Sequence, residues 1–169
     1  VEYDDGEIIS LMGYAIELHE TLVGEIIYFI RGILNDVSFR VNGSNLALHI
    51  PGFVRRYYNA DCAVVKGKSE YVVLRGDMKS VANPILVVEI LSPTNRSFNL
   101  NRKFINYKTI PALEEILFIE STERKVISHR RDNDWEAETF SGADDQIPVL
   151  NQGSFSLDQL YTRVELIEG

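Results

Sequence analysis

The stretch Pro84-Ile85-Leu86-Val87-Val88-Glu89-Ile90-Leu91-Ser92-Pro93-Thr94 decides how this chain folds. From Pro84 to Leu91 it is apolar except for Glu89. Such a run lacks the polar alternation of a half-buried strand, so it reads as a central strand covered on both faces. Ser92-Pro93-Thr94 stops it, since proline offers no N–H to a ladder. Glu89 is the anomaly. A carboxylate in an apolar strand is costly to desolvate unless a Lys or Arg pairs with it or an edge lets it reach water. The functional alternative is a metal ligand or an acid–base group. The abrupt exit after Leu91 puts Glu89 near a strand end, where the sites of α/β sheets collect.

Working outward, the elements on either side are of mixed type. Glu7 to Leu11 reads as a short strand after an Asp-Gly turn. Leu18, Leu22, Val23, Ile26, Ile27, Ile30, Ile33 and Leu34 recur at helical spacing, which predicts an amphipathic helix from about Leu18 to Leu34. Val41 to Ile50 is extended, and Asn42-Gly43-Ser44 within it predicts a hairpin or bulge. Tyr57 to Val65 reads as a strand, and Arg75 to Pro84 as a polar loop. After the central strand, Leu100 to Ile110 reads as a helix and Glu115 to Glu120 as another apolar strand. Val126 to Arg130 and Trp135 to Phe140 form an expected antiparallel pair around Asp132-Asn133-Asp134. Ser156 is the expected N-cap of a short helix ending near Tyr161.

This order, together with the absence of repeats, low-complexity tracts or a dividing linker, predicts a single α/β domain over residues 1–169. That length suffices for one real core and is short for two. Hydrophobic residues at 45% and charged residues at 25% exclude whole-chain disorder. The formal net charge of −8 gives no global attraction to nucleic acid, so any such contact needs a local basic face. Arg55-Arg56 and Arg130-Arg131 are the candidates for phosphate contacts, against the plainer reading of solvated charge. Cys62 is the only cysteine, which excludes an internal disulfide and a cysteine-rich zinc site. No apolar stretch is long enough to span a bilayer. The acidic start, Val1-Glu2-Tyr3-Asp4-Asp5-Gly6, has no signal-peptide pattern. The expectation is a cytoplasmic protein.

Two residues give Glu89 company. Asp61 precedes the apolar Cys62-Ala63-Val64-Val65, at the start of a strand; alone it would pass for a turn residue. Lys103 lies on the helix after the Glu89 strand, with Tyr107 four residues on and therefore on the same face. Leu100 and Phe104 would anchor that helix on the sheet, although a lone lysine there is ordinarily solvated. Together the three make sense for phosphodiester hydrolysis. Two hard oxygen ligands suit Mg²⁺ or Mn²⁺, which polarises a phosphate and acidifies an attacking water. A lysine beside them stabilises developing negative charge or orients the water.

The succession Val87-Val88-Glu89-Ile90-Leu91-Ser92-Pro93-Thr94, then Lys103 and Tyr107, then Ile110-Pro111-Ala112-Leu113-Glu114-Glu115, resembles the Uma-two type family of bacterial endonucleases. That family lies within the restriction-endonuclease-like, or PD-(D/E)xK, superfamily. The resemblance covers nearly the whole chain and implies a mixed central sheet flanked by helices. It implies that Asp61 and Glu89 hold the metal, with the carbonyl of Ile90 as a further ligand. The superfamily lysine two positions after the Glu is here Leu91, and the resemblance implies that Lys103 takes its place. His19 matches a position where the family often has His, although its alignment with Val23, Ile26 and Ile30 also fits a buried structural histidine. Two departures stand out: Ala60 replaces the family's Pro before the Asp, and Asn99 replaces an Asp four residues before the lysine.

The expected function is therefore a Mg²⁺-dependent (or Mn²⁺-dependent) endonuclease acting on DNA. The alternative is a catalytically weak or inactive nuclease fold that serves as a binding or assembly module, which Asn99 and the acidic total favour. A homodimer would suit cleavage of both strands, and an exposed strand edge such as the Trp135 hairpin is where copies could pair.

Overall fold

The computed structural model describes the backbone of residues 2–4 and 7–9, and residues 17–53 and 55–166 in full. In chain order the strands and helices are β1 (Glu2–Asp4), β2 (Glu7–Ile9), α1 (Glu17–Ile33), β3 (Phe39–Asn42), β4 (Ala47–His49), β5 (Tyr57–Asn59), β6 (Cys62–Lys66), β7 (Tyr71–Arg75), β8 (Met78–Val81) and β9 (Pro84–Leu91). There follow α2 (Arg96–Phe98), a π-helical turn (Asn99–Lys103), α3 (Phe104–Tyr107), β10 (Glu115–Glu120), β11 (Val126–Arg130), β12 (Ala137–Phe140), β13 (Gln146–Val149), β14 (Gly153–Ser156) and α4 (Leu157–Tyr161).

The central sheet has the order β12-β11-β10-β9-β6-β3. It is mixed: β9 and β10 run parallel, and the other neighbours are antiparallel. Side chains of β9 alternate between two cores, as a strand period of two requires. Leu86, Val88 and Ile90 face a core that includes Leu22, Ile26 and Ile30 of α1. Val87 and Leu91 face a second core that includes Tyr58, Tyr107, Ile110 and Phe118. The full burial of β9 expected from its sequence is thus two half-burials, one per layer.

Parallel strands cannot be joined by a tight turn, so the chain between β9 and β10 must cross over one face of the sheet. The crossover is the segment from α2 to α3. This requirement brings Lys103 and Tyr107 back over the strand they follow.

A second sheet has the order β2-β1-β5-β4-β8-β7 among the described residues. Three expectations are corrected here. Tyr57 to Val65 is not one strand: the chain bends at Asp61, so that β5 belongs to the second sheet and β6 to the central one. Asn42-Gly43-Ser44 makes no hairpin, because β3 pairs with β6 while β4 pairs with β5 and β8. The polar stretch from Arg75 contains strand β8, paired with β7, its polar side chains reflecting an exposed hairpin rather than a loop. The β11–β12 pair and the Ser156 cap are as expected; Ser156 Oγ accepts from Gln159 N–H at 3.3 Å. Of the strand expected at Glu7 to Leu11, Glu7–Ile9 is present and Leu11 lies outside the described residues.

Candidate active site

Glu89 lies in β9 on the face of the second core and is only 3% exposed. Its Oε1 accepts from Lys103 Nζ at 2.9 Å and from the Tyr107 hydroxyl at 2.6 Å. Lys103 is itself 2% exposed, so the ion pair is shut away from water. Charges so buried are tolerable only when paired and hydrogen-bonded, and this pair is both. Lys103 Nζ also reaches the Asn59 carbonyl at 3.5 Å and sits 5.6 Å from the Tyr58 ring. Tyr58 packs edge-on against Tyr107, and its hydroxyl accepts from Asn106 Nδ2 at 2.7 Å. The lysine is thus fixed in a cage of two tyrosines and a carbonyl.

Asp61 stands at the bend between β5 and β6. The antiparallel register Ala63↔Val87, Cys62↔Val88, carried one step further, sets Asp61 beside Glu89. Its Oδ2 accepts from the Ile90 N–H at 2.7 Å, which locks the carboxylate against the next residue along β9. Its Oδ1 lies 3.2 Å from His19 Nε2. His19 is half-buried at the start of α1 rather than sunk in the core below. The hydrogen bond that His19 donates to Asp61 raises the His19 pKa above the usual histidine value, against the opposing effect of burial, and Glu20 adds to the rise.

The structure therefore brings together Asp61, Glu89, Lys103, Tyr107 and His19, from β9, from the bend before β6 and from helices on opposite faces of the sheet. The Ile90 carbonyl is close by but engaged, accepting from Asn95 Nδ2 at 3.3 Å. The sequence reading missed Asn95, whose Oδ1 also accepts from Ser92 N–H at 2.8 Å and so builds the turn that ends β9. An Asn three residues after a Ser is the signal that pointed to it. Asn59 and Tyr58, which hold Lys103, carried no signal beyond their closeness to Asp61.

The donors around the site are oxygens, the kind that Mg²⁺ and Mn²⁺ prefer. Among the described residues no group of three or more His, Cys, Asp and Glu is placed to hold an ion. Asp61 and Glu89 are the carboxylates that could hold such an ion. Asn99 is buried on the π-helical turn, and its Oδ1 has no hydrogen-bond partner among the described residues. It is a neutral oxygen where the resemblance leads one to expect a carboxylate.

Comparison with known proteins bears on this arrangement. The model of a family described as Uma2, putative restriction endonuclease, matches residues 1–158. The chain belongs to the Uma2 family. Two uncharacterised proteins of Synechocystis are similar to it. One is 26% identical over 148 residues, covering 86% of this chain and 81% of the relative. The other is 26% identical over 163 residues, covering 95% and 82%. The fold matches the crystal structure of a putative nuclease of DUF820 from Anabaena variabilis, with a TM-score of 0.72 over 95% of this chain and 89% of that one, at 20% identity. This Uma2 chain has the mixed α/β architecture of that nuclease.

Other candidates in this Uma2 member belong to the fold instead. Arg131 donates to the carbonyls of Leu113 and Ile110 at 2.7 and 2.9 Å, and Arg130 faces Asp132 and Glu138. Arg56 stacks on Phe53, with its guanidinium carbon 3.4 Å from the ring centroid. Trp135 packs against the second core under Arg131. Burial pushes the Cys62 thiol up to about 12, so it is no nucleophile. Among the described residues no helix is long and apolar enough to cross a membrane.

Proposed function

We propose that this Uma2 chain is a metal-dependent endonuclease that hydrolyses DNA phosphodiester bonds. Asp61 and Glu89 are the residues that would hold Mg²⁺ or Mn²⁺. The ion, when bound, polarises the phosphate and lowers the pKa of a water. The observation that carries this reading is the buried Glu89, gripped by Lys103 and Tyr107 beside Asp61. A pair so costly to desolvate is unneeded for a fold that already has two apolar cores.

Each side chain has a task in this reading. The Ile90 N–H and the Tyr107 hydroxyl aim the two carboxylates, so that little rearrangement is left for the moment of reaction. Lys103 Nζ supplies positive charge near the scissile phosphate or orients the attacking water. His19 compensates Asp61, and its hydrogen bond to that carboxylate holds its pKa above the ordinary histidine value.

Plasmid and oligonucleotide substrates incubated with the purified protein and Mg²⁺ or Mn²⁺ test the proposal. Divalent-dependent nicking or cleavage is expected, and Asp61→Asn or Glu89→Gln should abolish it. Intact plasmid, linear and single-stranded DNA under both metals would sink the reading for those substrates.

A second reading is supported by one specific arrangement. Both carboxylates already have cationic partners within the chain, Asp61 in His19 and Glu89 in Lys103. With Asn99 in place of an acid, this describes a nuclease fold kept as a binding or assembly module. Calorimetry separates the two: no heat of Mn²⁺ binding, and none lost on Asp61→Asn, favours the module.

A further inference from the structure

With a net charge of −8, any nucleic-acid contact needs a local basic face, and the crossover provides one. From Ser92 to Leu113 the chain has no Asp or Glu, and it carries Arg96, Arg102, Lys103 and Lys108. Arg96 is set apart by how it is held. Its Nε and Nη2 both lie 2.9 Å from Glu120 Oε1, while among the described residues Nη1 has no partner. The Glu120 side chain is 3% exposed and that of Arg96 46%. A buried carboxylate thus fixes one edge of the guanidinium, and the end that carries Nη1 is open. The sheet does not need this pair for closure there. Ser121 N–H donates to the Leu91 carbonyl at 3.0 Å, and the Tyr161 hydroxyl to the Glu120 carbonyl at 2.6 Å.

The strand register sets this pair beside the candidate active site. In the parallel strands β9 and β10, Phe118 lies opposite Glu89 and Glu120 opposite Leu91. Glu120 is two residues beyond Phe118, so it shares the face on which Glu89 lies. One strand across and two residues along separates the main chains of Glu89 and Glu120 by about 8 Å. The guanidinium therefore stands at the C-terminal edge of β9 and β10. Asp61 is at that same edge, bonded to the Ile90 N–H.

We infer that Arg96 is a substrate-positioning residue whose open end binds a DNA phosphate next to the scissile one, with Glu120 holding it in place. A guanidinium is a rigid fork of donors, so fixing one edge also fixes the direction of the rest. Phosphate oxygens suit the open end, because bonds from a charged donor to a charged acceptor are strong and directional. The acid-free crossover lets a phosphate approach without meeting a carboxylate of its own segment. This inference rests on the DNA substrate of the proposed function, and not on its hydrolysis. It moves the expected phosphate contact from Arg55-Arg56 and Arg130-Arg131 to the crossover.

Fluorescence anisotropy of a labelled DNA duplex with the Asp61→Asn protein in Mg²⁺, over a series of salt concentrations, tests this without turnover. Combining Arg96→Gln with Glu120→Gln keeps the net charge and leaves no lone buried carboxylate. The combined variant should bind about tenfold more weakly, and its slope of log K against log salt should flatten by about 0.9, the share of one phosphate contact. Arg163→Gln with Glu25→Gln, at an ion pair on α1 and beyond α4, is the charge-matched control and should move neither readout. Absence of DNA binding even at low salt overturns the inference. So does a combined variant with unchanged affinity and slope, or a control that loses as much. Should the combined variant misfold, Arg96→Met with Glu120→Leu replaces the pair by apolar side chains and decides. Binding that depends on Arg96 in a chain whose wild type cuts no DNA upholds the inference and rejects hydrolysis. Cleavage whose KM the combined variant leaves unchanged upholds hydrolysis and rejects the inference.

Discussion

Lys103 Nζ lies 2.9 Å from Glu89 Oε1, across the gap between a crossover helix and the strand it follows, and both side chains are almost wholly buried. Removing one partner leaves the other as an uncompensated buried charge, which costs about 3–5 kcal/mol. Lys103→Met and Glu89→Gln should each lower stability on that order in urea denaturation. The double variant should be less destabilised than the sum of the two, because it restores neutrality. Additive losses would show that the pair is not coupled.

Tyr107 tests how much of the grip on Glu89 comes from the second donor. Tyr107→Phe keeps the ring against Tyr58 and removes one hydrogen bond to a charged acceptor. The expected loss is about 1.5–3 kcal/mol of stability. If the site is catalytic, the carboxylate also loses its aim, and kcat should fall at least about tenfold with KM little changed. An unchanged kcat would make Tyr107 a packing residue only.

His19 reports on Asp61. Its pKa is raised chiefly by the Asp61 hydrogen bond, while burial pulls the other way. Its folded value therefore exceeds the unfolded one. The stability it lends is full below the ordinary histidine pKa and is lost as pH rises through the raised value. In Asp61→Asn, NMR titration should find the His19 midpoint moved down. A midpoint that stays where it is would separate the two residues.

Glu115 gives a second pH dependence at the other end of the sheet. Burial pushes its carboxyl up to about 7, partly offset by the Leu150 N–H, which donates to Oε2 at 2.9 Å. The folded value again lies above the unfolded one. The contribution is full below the ordinary carboxylate range and disappears as pH climbs through about 7. Glu115→Gln keeps an acceptor for Leu150 and cannot ionise. Its stability should exceed that of the wild type most at pH 8, by up to roughly 3 kcal/mol, and converge on it near pH 4. Parallel stability profiles would refute this.

The parts of the fold visible in the sequence were those with a strong period or a strong stop. Val87 to Leu91, closed by Ser92-Pro93, and the apolar stripe of α1 are such signals, and both elements lie where they were expected. What escaped was long-range partnership. Nothing local says that Asn42-Gly43 crosses between sheets, or that Tyr57 to Val65 breaks at Asp61, since each side of the break has strand character on its own. Glu89 stood out because its chemistry contradicts its surroundings, which is a local fact. Lys103 was legible only through its link to Glu89, because a lysine on a helix contradicts nothing. Asn95, Asn59 and Tyr58 support the site through main-chain and ring contacts that leave no pattern.

The π-helical turn Asn99–Lys103 interrupts the crossover helix between α2 and α3. Each residue of an α-helix turns the next by about 100°, and a π-turn amounts to one extra residue wound into the spiral. Deleting one residue there, such as Asn101, would let the segment relax into an ordinary α-helix. Four α-helical residues turn about as far as the five of the π-turn, so Tyr107 would keep facing Glu89 while the turn that carries Lys103 is rebuilt. In this scaffold the crossover can therefore lose one residue at the turn without turning Tyr107 away from Glu89. What such a loss would move is the lysine alone, because Lys103 is the last residue of the π-turn itself.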